Sequence, residues 1–265
     1  MNIRIGYIPY LNMVPFHHGF GPEPKDEGEL QFDFSTVSPR ALGLEAEKGA
    51  MDAGALSLVD WLRLSNHFEP LGSYGIGVKR AAQSVFLFSN QMIPNFQGVC
   101  AVSDETSTSF RLLQLLLEGR YGRSDVRFAR MASSALVDSR VDGLLLIGDE
   151  ALRAKKVGVP GLPIVTDLGE EWFQWHRVPF VFARWAIRQT FHQDEKDAVE
   201  RCLQKSLTWN VLNRPALARD EEAKRGIFRE EISTYWNGFD YQLTPDHERS
   251  IAIFSELMEK ACLTA

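Results

Sequence analysis

The stretch GAMDAGALSLVDWL, residues 49–62, decides the fold, because a second stretch with the same layout occurs later in the chain. SRVDGLLLIGDEAL, residues 139–152, aligns with it without a gap and places Asp142 on Asp52. In each copy a helix ends, an aspartate precedes a short apolar strand, and a polar turn starts a new helix. The repeat therefore predicts two similar α/β lobes.

Other segments supply the rest of two such lobes. NIRIGYI (2–8) alternates like a strand, and FDFSTVSP (32–39) is typical of a strand that leads into a helix capped by Ser38. AQSVFLFS (82–89) and VPFVFARWAI (178–187) are apolar strands on either side of a self-contained α/β stretch. These two strands are expected to be the crossovers between the lobes.

The predicted organisation is a two-lobed α/β protein with the second lobe, 89–181, inserted into the first. The first lobe is discontinuous and consists of 1–88 and 182–265. Its last third is mainly helical, with amphipathic segments at 194–213 and 244–263 and a charged helix between them, all expected to pack on the first lobe. Ligands of such folds bind between the lobes, where strand ends and helix N-termini converge.

Composition narrows the class of function. The net charge of -6 argues against binding a nucleic acid backbone but permits a small anionic metabolite. Cys100, Cys202 and Cys262 are far apart and lack CxxC spacing, which favours a reducing compartment without disulfides or zinc. MNIRIGYI lacks the pattern of a signal peptide, and no window approaches the ~20 apolar residues of a membrane span. We expect a cytoplasmic monomer or homodimer without a membrane association.

YIPYLNMVPF, residues 7–16, is unusual because prolines and an asparagine stand among aromatic residues directly after the first strand. A plain core element would not have this composition. We expect Asn12 and its neighbour Tyr10 to line the floor of a ligand cleft.

Small hydroxyl residues precede an apolar helix in SDETSTSFRLLQLLL, residues 103–117. Ser107, Thr108 and Ser109 are predicted at its N-terminus, where unpaired backbone N–H groups and the helix dipole favour an anion such as a carboxylate. The alternative is ordinary N-capping. The sequence leaves two alternatives for Ser57 and Asp149 as well. Both follow buried strands, and each either caps a helix or contacts a ligand. Ser84 either faces the cleft or forms a hydrogen bond with the backbone.

Known catalytic and metal-binding motifs are missing from the sequence. The histidines show neither HExxH nor H-x₃-H spacing, so no metal site is expected. No GxSxG, phosphate-binding loop or dinucleotide fingerprint occurs on a strand-to-helix turn. The residues alone therefore lead to a two-lobed protein that binds a small anion, without a cofactor.

Several motifs follow one another over about residues 3–187: IGYIPYLNMVPF, EKGAMDAGALSLVDWL, QSVFLFS, ETSTSFRLLQLLL, LLIGDEAL and DLGEEWFQW followed by VPFVFARWA. In these motifs and in their order the chain resembles the chorismate dehydratase family of menaquinone biosynthesis, which belongs to the futalosine route. The resemblance implies a periplasmic-binding-protein-like type II fold and an enzyme that removes water from chorismate to give 3-[(1-carboxyvinyl)oxy]benzoate.

The resemblance also implies roles for individual residues. Asn12 and Ser84 match positions that contact substrate near the reacting centre, and the hydroxyl residues 107–109 match the carboxylate-binding helix start. Ser57 and Asp149 match cleft-lining turns. The chain departs from the family at Gln83, where arginine is common, and at 176–178, where Thr-Gly is common.

Because of these departures, we expect His176 to contact the substrate, and more than one substrate is compatible with the sequence. The competing hypotheses are a related enzyme acting on another small carboxylate, and a solute-binding module without chemistry. An enzyme turns its ligand over, whereas a binding module returns it unchanged.

Overall fold

A computed structural model of the chain describes residues 2–20, 31–132 and 141–263. The chain divides into two compact units, each made from two segments. Unit 1 comprises 1–76 and 183–243, and unit 2 comprises 77–182 and 244–265.

The strands, in chain order, are β1 (Asn2–Tyr7), β2 (Gln31–Thr36), β3 (Ala53–Ser57), β4 (Phe68–Val78), β5 (Val85–Ser89), β6 (Val99–Ser103), β7 (Arg127–Met131), β8 (Gly143–Ile147), β9 (Ile164–Asp167), β10 (Phe180–Arg188) and β11 (Phe239–Gln242). They form two sheets, one of order β11-β4-β10-β3-β1-β2 and one of order β7-β6-β8-β5-β9. In the first sheet β1 runs parallel to β2 and β3, and β10 runs antiparallel to β3. In the second, β6 runs parallel to β7 and β8, and β5 runs antiparallel to β8 and β9.

The helices are α1 (Pro39–Glu47), α2 (Leu58–Arg63), α3 (Thr108–Leu115), α4 (Gly148–Val157), α5 (Leu168–His176), α6 (Gln193–Arg225), α7 (Arg229–Asn237) and α8 (Pro245–Leu263). A 3₁₀ helix covers Leu11–Phe16, and one turn of π-helix, Leu116–Arg120, follows α3. Across the three described ranges, no helix combines the length and the apolar character needed to cross a membrane.

The structure confirms the strand and the helix after it in both copies of the internal repeat. β3 leads into α2, and β8 leads into α4. Asp52 and Asp142 make equivalent contacts, because each carboxylate accepts a backbone N–H from the neighbouring parallel strand, Arg4 at 3.0 Å and Val99 at 2.9 Å. Each aspartate therefore anchors the start of its strand. The helix expected before Asp142 falls outside the described residues.

Local sequence signals set several element boundaries. Ser38 is the N-cap of α1 and accepts the N–H of Ala41, as predicted. Pro39 occupies the first turn, where its missing N–H has no cost.

In unit 2 an apolar cluster that includes Phe86, Phe88 and Leu144 fills one face of the sheet. Burial of these side chains is the main term that stabilises that unit.

The helical last third differs from the prediction in two ways. The charged helix expected over 214–238 is not separate, because α6 continues through Pro215 and ends at Gly226, whose φ is +67°. Buried residues on both sides of the proline, including Leu203 and Ala218, anchor the two halves of α6 and compensate for the backbone bond that proline lacks.

The second difference concerns α8, which groups with unit 2, whereas all C-terminal helices were expected on the first lobe. Trp172 of α5 donates its indole N–H to Ser250 Oγ at 3.0 Å, and the ring of Phe254 lies 5.5 Å from that of Phe180. These contacts define where the apolar face of α8 is buried, which the amphipathic pattern alone does not specify. The sequence boundaries of the units also fall after residues 76 and 182, instead of after 88 and 181.

Candidate functional site

Three parallel strands of unit 1 end at the same edge of its sheet, because β1 pairs in parallel with both β2 and β3. Tyr10 and Asn12 follow β1 at this edge, and Ser57 is the last residue of β3. Polar side chains at the carboxyl ends of strands in α/β sheets commonly bind ligands. Unit 1 thus brings three of the predicted site residues to one edge.

Asn12 lies on the 3₁₀ helix, whose buried neighbours Leu11 and Met13 hold it against unit 1. Its side-chain oxygen Oδ1 is buried and has no hydrogen-bond partner among the described residues. Buried polar atoms are nearly always satisfied by protein, water or ligand. Oδ1 of Asn12 is therefore available to accept a hydrogen bond from a ligand hydroxyl.

Ser57 has a different role in the structure. It is the N-cap of α2, where its hydroxyl donates to Asp60 Oδ2 at 2.7 Å and accepts the backbone N–H of Asp60 at 3.3 Å. The side chain is buried. Of the two interpretations that the sequence left open, these contacts support helix capping.

Two residues that the sequence analysis did not select lie near this edge. His17 ends the 3₁₀ segment with its ring 4.2 Å from that of Tyr7, and burial lowers its pKa to about 4, an effect that Glu221 opposes and Arg225 reinforces. Arg184 of β10 is buried, and its guanidinium lies 5.0 Å from the centre of the Trp61 ring. Arg184 was missed because it occurs inside a strand that was interpreted as wholly apolar.

In unit 2 the topology brings another set of predicted residues to one edge. β5 pairs antiparallel with β8, with Val85 opposite Ile147, so Ser84 lies beside the start of α4. The N–H of Gly148 donates to the Ser84 carbonyl at 2.9 Å. Ser84 and Asp149 are both buried. They share this edge with the end of β6, which runs parallel to β8.

The start of α3 lies beyond the end of β6 and carries Ser107, Thr108 and Ser109. Ser107 occupies the N-cap position, yet its side chain makes no capping hydrogen bond with any described residue. The first N–H groups of α3 are therefore not satisfied by this serine, and the helix dipole adds positive potential there. Simple capping by Ser107, the alternative to ligand binding, is not what the structure shows.

Arg130 adds a positive charge next to this turn. It lies on β7, in register with Val102 of β6, and donates to the Thr106 carbonyl at 3.2 Å while its guanidinium lies 4.5 Å from the centre of the Phe110 ring. Arg130 carries no local sequence signal of a binding role, because only the pairing of β6 with β7 brings it to the start of α3.

His176 is not brought to this edge. It is the last residue of α5, a helix that begins at the edge and runs away from it. Its ring packs 4.3 Å from Trp172 and 4.2 Å from Trp175, and burial, together with the charge of Arg120, lowers its pKa. The adjacent Arg177 has a φ of +59° and ends the helix.

One more residue at the edge of unit 2 was missed. Asp167 ends β9 and is the N-cap of α5, accepting the N–H groups of Gly169 and Glu170. The signal for this cap was present in the sequence, since aspartate followed three residues later by glutamate is a common helix start. Its remaining contacts are to Ala82 and Gln83, which precede Ser84.

Known proteins similar to this chain agree with this architecture. A chorismate dehydratase of Thermus thermophilus is 27% identical over 270 residues, which cover 96% of this chain and 94% of the relative. The solved structure of protein AF1704 from Archaeoglobus fulgidus has a TM-score of 0.80 at 18% identity, with 99% of this chain and 98% of that chain covered. The alkanesulfonate-binding protein SsuA from Xanthomonas axonopodis pv. citri has a TM-score of 0.73 at 11% identity, with 98% and 92% covered.

The structural similarities establish the fold, which is the two-lobed type II fold of periplasmic binding proteins. The family is established by sequence, because a family model described as menaquinone biosynthesis matches residues 3–260. The chain therefore belongs to the menaquinone biosynthesis family.

Proposed function

We propose that this protein is a chorismate dehydratase, which removes water from chorismate to give 3-[(1-carboxyvinyl)oxy]benzoate. The observation that carries the proposal is the similarity to the Thermus thermophilus enzyme over nearly the whole of both chains. The reaction belongs to the futalosine route of menaquinone biosynthesis and takes place in the cytoplasm. The free thiols of Cys100 and Cys202 are compatible with that reducing compartment.

Chorismate carries two carboxylates, and positive potential suited to a carboxylate occurs in each unit. In unit 2 this is the start of α3 at Ser107, Thr108 and Ser109, with Arg130 beside it. In unit 1 it is the buried Arg184. Such fixed donors in a site shielded from water stabilise anions more strongly than solvent does.

The chemistry requires little acid–base power. The ring hydroxyl leaves with its bonding electrons, and a neighbouring carbon loses its proton, so that water and an aromatic ring are formed. Aromatisation makes the product strongly favoured. The amide of Asn12 donates to the departing hydroxyl, Tyr10 lies beside it, and Ser84 orients the enolpyruvyl group. The protein's contribution is chiefly to position the substrate.

The proton acceptor is a carboxylate of the substrate itself, held by the donors of unit 2. This explains why the site residues include amides and hydroxyls but few bases. Asp149 is the competing acceptor, because its buried carboxylate lies at the same edge as Ser84. Asp149→Asn distinguishes the two, since substrate-assisted proton transfer survives the change and general-base catalysis by Asp149 does not.

Ser57 and His176 are left out of the proposed site. The hydroxyl of Ser57 is engaged in the cap of α2, and His176 packs between two tryptophans at the far end of α5.

The experiment is to mix the purified protein with chorismate and follow substrate loss and product mass. A product lighter by one water, strongly reduced in folded Asn12→Ala and Ser84→Ala variants, would support the proposal. Ser89→Ala is the matched control, because Ser89 is a buried serine at the opposite end of β5 whose hydroxyl bonds to the Gln91 carbonyl. Turnover that is unaffected by either site substitution would refute the residue assignment.

Two other functions remain as outcomes of the same experiment. Saturable binding of unchanged chorismate would favour a solute-binding protein, a function found in structural neighbours such as SsuA. Neither binding nor turnover would favour a related enzyme acting on another small carboxylate, with Gln83, which directly precedes Ser84, marking the change.

A further inference from the structure

We propose that Asp167 is a positioning residue for Ser84, because it holds the two residues before Ser84 in the backbone conformation that presents this serine at the edge of unit 2. The inference rests on the proposed function in one respect, which is that Ser84 acts on the substrate. It concerns a residue whose side chain bonds to the backbone of the site and not to the ligand.

The carboxylate of Asp167 accepts four backbone hydrogen bonds. Oδ1 accepts the N–H groups of Ala82 at 2.8 Å, Gly169 at 2.9 Å and Glu170 at 3.1 Å, and Oδ2 accepts that of Gln83 at 2.8 Å. Capping of α5 needs only the two contacts within its own first turn. The other two fix a segment that is more than eighty residues earlier in the sequence, directly before Ser84.

Gln83 is the residue that most needs this support. Its φ of +61° is a left-handed conformation, which is uncommon for a residue other than glycine and persists only where the surroundings enforce it. Such strained residues cluster at functional sites. On its other side, Ser84 is tied down through its carbonyl, which accepts the N–H of Gly148. Ser84 is only 2% exposed, so a small displacement of the backbone at residues 82 and 83 would move its side chain against closely packed neighbours.

Packing joins the first turn of α5 to the segment before Ser84. A Cβ atom on Gly169 would lie 2.6 Å from the Arg80 carbonyl oxygen and 2.8 Å from the Ala82 nitrogen, so only glycine permits this approach. The Arg80 guanidinium also pairs with Glu170 at 2.6 Å. Burial raises the pKa of Asp167, an effect that its four backbone hydrogen bonds oppose.

Asp167→Asn tests the proposal, since it changes one contact selectively. The amide oxygen replaces Oδ1 and keeps three of the bonds, whereas the NH₂ group that replaces Oδ2 cannot accept from the N–H of Gln83. We expect kcat for chorismate to fall by roughly tenfold to a hundredfold, because misplacement of a reacting group costs that much, while KM changes less. The protein should remain folded.

A second substitution separates positioning from general stability. Glycine adopts a left-handed conformation without strain, so Gln83→Gly added to Asp167→Asn should restore most of kcat although the hydrogen bond is still missing. A merely structural role predicts no such rescue. Asp142→Asn is the matched control, because Asp142 also accepts a backbone N–H, that of Val99, at the opposite edge of the same sheet, and it should leave kcat unchanged.

The outcomes distinguish this inference from the proposed function. Wild-type turnover in Asp167→Asn, or a loss that Gln83→Gly does not restore, would overturn the positioning role while chorismate dehydration stands. If the wild-type protein does not dehydrate chorismate, the proposed function fails first. In that case hydrogen exchange of the Gln83 backbone amide tests the positioning role. The role predicts that this amide exchanges faster in Asp167→Asn than in the wild type, while the Gly169 amide stays protected. Equal exchange rates of the Gln83 amide in the two proteins would overturn the positioning role.

Discussion

The indole N–H of Trp236 donates to the backbone carbonyl of Leu11 at 2.7 Å, and this bond joins α7 to the 3₁₀ helix that carries Asn12. Trp236 is 1% exposed and Leu11 is fully buried. The guanidinium of Arg225, at the end of α6, donates to the Pro9 carbonyl at 3.2 Å. The carbonyls on either side of Tyr10 are thus both held by the C-terminal helices of unit 1.

Trp236→Phe removes the donor but keeps an aromatic ring. We expect the free energy of unfolding to fall by about 1–3 kcal/mol, because the buried Leu11 carbonyl loses the hydrogen bond from the indole. Turnover of chorismate should also fall, since Asn12 follows Leu11 directly. Urea unfolding and steady-state kinetics measure the two effects. Trp209→Phe is the control, because Trp209 contacts the His18 ring by stacking, which phenylalanine preserves. Equal effects of both substitutions would contradict the prediction.

Ser57→Ala should act on stability and leave catalysis nearly unchanged. Loss of a serine N-cap costs about 0.5–2 kcal/mol, and the hydroxyl of Ser57 is committed to Asp60. Ser38→Ala, which removes the N-cap of α1, should have an effect of similar size. A fall in kcat/KM for Ser57→Ala, with no such fall for Ser38→Ala, would show that Ser57 contacts the substrate after all.

His17 should make the protein less stable as the pH falls below neutrality. Burial lowers its pKa to about 4 in the folded protein, whereas an unfolded histidine titrates near 6.5. The stabilisation is complete above pH ~6.5 and is lost as the pH falls toward ~4, because the unfolded chain then binds a proton that the folded protein excludes. At pH ~4.5 the loss should reach about 2–3 kcal/mol.

The difference between wild type and His17→Phe isolates this contribution from other titrating groups. Phenylalanine keeps a ring next to Tyr7 but cannot bind a proton. Unfolding free energies at pH 7 and pH 4.5 should therefore differ less in the variant than in the wild type. An identical pH dependence in the two proteins would mean that the pKa of His17 is the same in the folded and unfolded states, so that burial does not lower it.

Much of the fold could be predicted from sequence because the relevant signals are local. The repeat with Asp52 and Asp142 specified where two buried strands begin, and the structure shows both carboxylates in the same role. Ser38 followed by Pro39 specified the start of α1. Such signals depend on backbone groups within a few residues, so they hold in any tertiary context.

The candidate site was predictable only where a local pattern coincided with a strand end. Asn12 and the residues at 107–109 stand out by composition, whereas Arg130 and Arg184 reach their positions only through strand pairing. Sequence also failed to separate a capping serine from a binding one. Ser57 and Ser107 occupy equivalent N-cap positions, yet only Ser57 makes the capping bond.

The sequence by itself thus determined the α/β class, the two-lobed repeat and the polar segments that follow its strands, because hydrophobic periodicity and capping are properties of short segments. Tertiary structure alone decided that α8 joins unit 2, that His176 packs between tryptophans and that Asp167 bonds to the backbone before Ser84. Each of these depends on groups that are distant in sequence, whose encounter is set by sheet topology and side-chain packing and not by any local pattern.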